Sequence, residues 1–356
     1  MNTIKITPTN VKHIGRTYLK DDTLWLILSG SGIAFDFTGK YLSVSICGRE
    51  ASALSNNEEN YPRIAVYVNG VRTIDDCITK PQKDFVIFDG TEVKNATVQI
   101  IKLSECAMSM CGINCLSGDV SGVTVAPDKP HKIEIIGDSI TCGYGVDDEN
   151  CEHHFKTATE DVTKSYSYKT AMALNADYSM FSTSGHGIIS GYTDDLSVRH
   201  TDQLIPERYT TYGLCYDTFD GKLQTTDLSW DFSRFVPDAI IINLGTNDDS
   251  YCQDMADRQN EYKEEYIKFL KKVRSNNPSA HIFCVLGLMG NRLFPQVCKA
   301  CEEYSKDTGD KNLSTFELPE QDGNIGYVAD YHPMERFHEK ASKVLVPFIK
   351  ETMGWQ

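Results

Sequence analysis

Through its first third the chain alternates between apolar and polar positions and does not repeat every 3.6 residues. Short runs rich in β-branched and aromatic residues lie at 24–28, 33–37, 42–47, 64–68, 85–88 and 98–101. Turn sequences separate them: Gly30-Ser31-Gly32, Thr38-Gly39-Lys40, Asn69-Gly70 and Asp89-Gly90. That spacing predicts strands, and Asn69-Gly70 between two such runs predicts a two-residue hairpin. Many short strands at regular intervals predict an all-β sandwich, jelly-roll-like, over residues 1–125. A polar stretch at 120–132, with Pro127-Asp128 and Pro130-His131, reads as a linker.

After the linker the period changes. Buried-strand patterns at 133–136, 178–181, 239–244 and 281–288 alternate with helical patterns at 166–174, 260–273, 295–304 and 334–353. Such alternation predicts a second domain over 126–356, a flavodoxin-like parallel sheet with helices on both faces. The polar residues fall in a particular place. Gly137-Asp138-Ser139 follows the first strand, Ser184-Gly185-His186-Gly187 the second, and Gly245-Thr246-Asn247-Asp248 the third. Asp330-Tyr331-His332-Pro333 precedes the last helix. Open α/β sheets bind ligands at the carboxyl ends of their strands, so these four clusters converge on one candidate site.

Composition narrows the function classes. The length of 356 residues fits two domains. A formal net charge of −15 argues against nucleic acid or an anionic membrane as partner, and a neutral substrate is expected instead. The apolar runs are too short to span a bilayer. The polar start, Met1-Asn2-Thr3-Ile4-Lys5, has no signal-peptide pattern, so a cytoplasmic location with reduced thiols is the expectation and a secreted mature form the alternative. The 12 cysteines are scattered, and Cys298-x-x-Cys301 has neither a second pair nor a histidine set; neither metal nor cofactor is expected.

With its four clusters in place, the chain resembles the SGNH (GDSL-type) hydrolases, named for a Ser, Gly, Asn and His in four blocks. More closely it resembles carbohydrate esterase family 2, acetyl esterases of plant polysaccharides that join an N-terminal β-sandwich to a C-terminal SGNH domain. The resemblance runs through Gly15-Arg16, G-D-S-I-T-C-G-Y-G at 137–145, W-D-F-S-R-F-V-P-D at 230–238, G-T-N-D at 245–248 and D-Y-H-P at 330–333. It implies that Ser139 is the nucleophile and His332 the general base. It implies an oxyanion hole formed by the Ser139 N–H, the Asn247 side-chain amide and a glycine N–H. The glycine is Gly185 or Gly187, the spacing slightly favouring Gly187. The orienting Asp of generic SGNH enzymes stands three residues before the His, where this chain has Ala329. Asp330, two before, either completes a triad or leaves a Ser–His dyad. Trp230, His186 and Tyr331 are candidate substrate contacts.

Such a set suits ester hydrolysis. A serine hydroxyl becomes a nucleophile when a base takes its proton, and the oxyanion of the tetrahedral intermediate needs fixed donors. The implied activity is removal of O-acetyl groups from hemicellulose oligosaccharides of the xylan or mannan type through an acetyl-serine. Two alternatives stand beside it: a broad-specificity GDSL esterase or lipase, and a carbohydrate-binding protein with an inactive hydrolase domain.

Overall fold

The computed structural model describes residues 2–48, 60–118 and 122–356. Val120 and Ser121, part of the predicted linker, lie outside the described residues. The chain divides into two compact units: residues 1–128 with 155–160 and 211–229, and residues 129–154 with 161–210 and 230–356. The chain thus returns to the first unit twice after leaving it.

The first unit is built on one ten-stranded sheet. Two of its strands are long, Gly32–Gly48 and Gln82–Lys102, and they pair antiparallel along most of their length. Sequence analysis divides each into two short strands. In the structure Thr38-Gly39-Lys40 is part of the first strand, whose register shifts between Gly39 and Tyr41 and again between Leu42 and Ser43. Bulges bend and twist a strand without ending it, so the sheet of this all-β unit curls around its own core. Phe35, Phe37, Val44, Ile46, Ile64, Val98, Ile100 and Ile113 fill that core. Asn69 and Gly70 both have positive φ, as a type I′ turn requires, and join Arg63–Val68 to Val71–Cys77. Gly122–Val125, read as linker, pairs with the Gly32–Gly48 strand. The later segment 211–229 is held by Phe219, whose ring meets Trp25 and Tyr18 edge-on or tilted at 5.5 and 5.3 Å. The buried Arg16 donates to the Thr211 carbonyl at 2.5 Å.

The second unit carries a five-stranded sheet. In chain order its strands are His131–Gly137, Ala176–Ser182, Ala239–Asn243, His281–Leu288 and Leu313–Glu320, all parallel. Their spatial order is second, first, third, fourth, fifth, the flavodoxin-like arrangement. Ala239–Asn243 is buried at every position because helices cover both faces. Ala256–Asn276 packs with Phe294–Thr308, and Tyr166–Ala173 packs with Glu335–Met353. Ala256–Asn276 buries Tyr262, Tyr266, Phe269, Leu270 and Val273, one stripe at helical spacing. No helix among the described residues is long and apolar enough to cross a membrane.

Candidate active site

The His131–Gly137 strand stops because its next residues turn back on themselves. Asp138 caps the short helix Ser139–Cys142, its carboxylate accepting the Ile140 N–H at 3.0 Å. Gly143, at φ +78°, closes that helix. A side chain on Gly137 would collide with Thr141, its Cβ falling 2.0 Å from Oγ1. Ser139 is therefore held at the strand end in a tight turn, and the GDS sequence follows from the geometry.

His332 comes from the other side. The chain folds into a narrow hairpin in which Tyr327-Val328 pairs with His332-Pro333. Asp330 and Tyr331 both take left-handed backbone angles, φ +48° and +59°. The turn presents His332 Nε2 at 2.9 Å from Ser139 Oγ. Its Nδ1 lies 3.1 Å from the main-chain carbonyl of Asp330. The Asp330 carboxylate is engaged elsewhere, accepting from the Tyr144 hydroxyl at 2.7 Å and facing His154 Nδ1 at 3.1 Å. Sequence analysis leaves Asp330 as either the third member of a triad or a residue beside a Ser–His dyad; in the structure its main-chain carbonyl faces His332 Nδ1. Tyr144 lies over the His332 ring, centroids 4.0 Å apart and 23° from parallel. Burial pushes the imidazole down to about 4, against the opposing pull of Asp330. A neutral ring with its Nδ1–H committed to a carbonyl offers Nε2 as acceptor to the serine hydroxyl.

Asn247 is the second residue of the helix Thr246–Cys252, which follows the Ala239–Asn243 strand. Its amide nitrogen donates to the His186 carbonyl at 2.9 Å and to Asp138 at 3.3 Å. Asp248 beside it is buried and accepts the N–H groups of Ile188, Ile189 and Ser190, fixing the loop that follows Gly187. Burial raises both carboxyls, Asp138 to about 7 and Asp248 to about 6, with the Asp248 charge adding to the shift at Asp138.

The two candidate glycines differ. The Gly187 N–H donates to the Gln203 carbonyl at 3.1 Å. Among the described residues no acceptor takes the N–H of Gly185 or of Ser139. Of the two glycines, Gly187 has its N–H bonded within the fold and Gly185 does not.

Of the expected substrate contacts, two are packed away. Trp230 is 7% exposed, with the Arg234 guanidinium 4.9 Å from its ring centroid. His186 is 4% exposed and its Nδ1 binds the Ser184 carbonyl at 2.9 Å, while burial lowers its pKa. Tyr331 is 49% exposed, its hydroxyl bonded to Glu152. Two further residues escaped the sequence reading. Tyr144 is one; its only signal is an aromatic ring between two glycines. Tyr192 is the other, 60% exposed and joined to the Gly185 carbonyl by its own N–H at 2.9 Å. A lone tyrosine just beyond the Ser184–Gly187 block was its signal.

Ser139, His332, Asn247 and Gly185 thus gather at the carboxyl ends of the first three strands, with Tyr192 and Tyr331 offering rings to solvent nearby in the same unit. Residues 135–339 match the GDSL-like Lipase/Acylhydrolase family, and residues 13–127 match the carbohydrate esterase 2 N-terminal domain. The Cellulase/esterase CelE of Acetivibrio thermocellus is 36% identical over 244 residues, which is 66% of this chain and 27% of that protein. An Acetylxylan esterase / glucomannan deacetylase of Cellvibrio japonicus is 25% identical over 360 residues, covering 99% of this chain and 92% of that one. The solved structure of a family two carbohydrate esterase from Clostridium thermocellum in complex with cellohexaose superposes with a TM-score of 0.82 at 27% identity, over 97% of this chain and 100% of that one. The chain belongs to the GDSL-like lipase/acylhydrolase family, in the two-domain form of carbohydrate esterase family 2.

Proposed function

We propose that the protein is a serine esterase that removes O-acetyl groups from hemicellulose oligosaccharides of the xylan or mannan type. The observation that carries this reading is the 2.9 Å contact between Ser139 Oγ and His332 Nε2, with the far ring nitrogen held by a carbonyl. His332 takes the serine proton as Ser139 Oγ attacks the acetyl carbonyl. The oxyanion is received by the N–H groups of Ser139 and Gly185 and by the Asn247 amide, which exchanges its longer bond to Asp138 for the new one. His332 then returns the proton to the departing sugar hydroxyl. Water, activated by the same base, releases acetate and regenerates Ser139. The catalytic pair is a dyad: a main-chain carbonyl fixes the tautomer of His332 but carries no full charge to stabilise the imidazolium.

A sugar substrate is supported by the names of the relatives, one an acetylxylan esterase / glucomannan deacetylase, and by the cellohexaose bound to the Clostridium thermocellum esterase. In this chain the exposed rings of Tyr192 and Tyr331 are apolar faces suited to stacking on pyranose rings. Release of acetate from acetylated xylo- and mannooligosaccharides by wild type and Ser139→Ala tests the reading. Wild type is expected to deacetylate one or both sets and the variant neither. Equal release by the variant, or hydrolysis of long-chain acyl esters in preference to acetylated sugars, would overturn it.

A further inference from the structure

The His332 base depends on a backbone conformation that is unfavourable by itself. Two successive non-glycine residues, Asp330 and Tyr331, sit in the left-handed region so that the Asp330 carbonyl turns toward Nδ1. Such angles persist only where surrounding contacts enforce them. The contacts on Asp330 are visible. Its N–H donates to the His153 carbonyl at 3.0 Å, the preceding Ala329 N–H donates to the Asp148 carbonyl at 3.1 Å, and its carboxylate accepts the Tyr144 hydroxyl at 2.7 Å. Tyr144 differs from the other partners in where it comes from. It lies five residues after the nucleophile, and its own N–H donates to the Ser139 carbonyl at 3.2 Å. It also lays its ring on the imidazole. One side chain therefore touches the base on its face, grips the residue that holds the base from behind, and is fastened to the turn that carries the serine.

We infer that Tyr144 is a positioning residue for His332. It sets the Ser139–His332 distance by linking the serine turn to the Asp330 main chain, with the Asp330 carboxylate serving as the handle that Tyr144 grips. This rests on the Ser139–His332 mechanism proposed above. The linkage acts on the chemical step, since misplacing a base by a fraction of an ångström slows proton transfer without touching bound sugar.

The test is a cycle on a soluble acetylated xylooligosaccharide, with kcat and KM measured separately and folding checked by thermal melting. Tyr144→Phe keeps the stacked ring and removes the grip; kcat is expected to fall about 5- to 10-fold with KM within about twofold. Asp330→Asn keeps an acceptor for the hydroxyl and tolerates the left-handed angle, so its loss in kcat is expected to be no larger than that of Tyr144→Phe. Asp330→Ala loses both and is expected to lose about 30-fold or more; in that background Tyr144→Phe is expected to add nothing, because the hydroxyl has lost its target. The Asp330 pair tests the linkage from the far end without disturbing the ring. Wild-type kcat in Tyr144→Phe, a loss confined to KM, or multiplying effects in the double variant would overturn the inference. So would a loss of about 10⁴ in Asp330→Asn, the behaviour of a triad carboxylate. Ser139→Ala run alongside separates the two claims. Activity surviving in it removes the serine mechanism, whereas a dead Ser139→Ala beside an unaffected Tyr144→Phe removes only the positioning role.

Discussion

At the scale of single residues the site is set by desolvation more than by charge. His332 has its ring held down to about 4, chiefly by burial. The base must be neutral to accept the serine proton, so kcat/KM is expected to be nearly flat through pH 6–7 and to fall only as the pH drops toward 4. An unperturbed histidine would instead show an acid limb near ~6.5. A profile of kcat/KM between pH 3.5 and 8 reads the difference directly. A limb at 6.5 would show that the ring is more hydrated in solution than its packing implies. The oxyanion donors behave otherwise, because they are worth something only when charge develops. Asn247→Ala is expected to lower kcat by about 10²–10³ with little change in KM, the typical effect of removing one such donor. The assay is steady-state hydrolysis of the same acetylated oligosaccharide.

At the scale of elements, the loops are interlocked through positions with no room for a side chain. Gly145 has φ +58°, and a Cβ there would stand 2.7 Å from the Cβ of Ala329, the residue that opens the turn into Asp330. Gly145→Ala is thus expected to cost about 1–3 kcal/mol of stability and to push the His332 hairpin off the serine turn. Urea unfolding and kcat measured together check it: both should fall, whereas a fall in stability alone would mean that the hairpin yields without moving His332. Much of this organisation was legible beforehand. Runs such as Ile133 to Ile136 and Ala239 to Leu244 announced buried parallel strands, and the polar clusters after them marked the site edge. The fifth strand, Leu313–Glu320, was missed because only Leu318 in it is fully buried, so it carries no continuous apolar run. The long strands of the first unit were cut short because a glycine at a bulge has the same composition as a glycine in a turn. The role of Asp330 was legible as a position but not as an interaction. A main-chain carbonyl is common to every residue, and which group accepts from His332 depends on two backbone angles that the D-Y-H-P sequence does not specify.

For the molecule as a whole, the buried ionisable groups of the second unit form two opposed sets, and their balance predicts how stability responds to acid. His332 and His338 are held neutral, at about 4 and about 3, by burial; His338 accepts the Tyr166 N–H on Nδ1 at 3.1 Å and loses that bond on protonation. Unfolded, both take up protons near ~6.5, so each draws stability down as the pH falls below that value toward its folded pKa. Asp138 and Asp248 are shifted upward, to about 7 and about 6, so the folded state holds protons that the unfolded state has released above ~3.9; each draws stability down as the pH rises through that window. Between about pH 4 and 6 the unfolded chain binds two protons at the histidines and the folded chain two at the aspartates, and their combined slope is close to zero. Single variants break the balance in opposite directions. Relative to wild type, His338→Gln is expected to become less stable with rising pH across this window, by about 1.4 kcal/mol per pH unit, and Asp138→Asn to become more stable by a similar amount. Comparison with wild type at each pH cancels the surface carboxylates common to all three proteins. Urea unfolding at pH 4.5, 5.2 and 6.0 measures the slopes, and parallel curves for the three proteins would show that these four groups are not held as their burial implies.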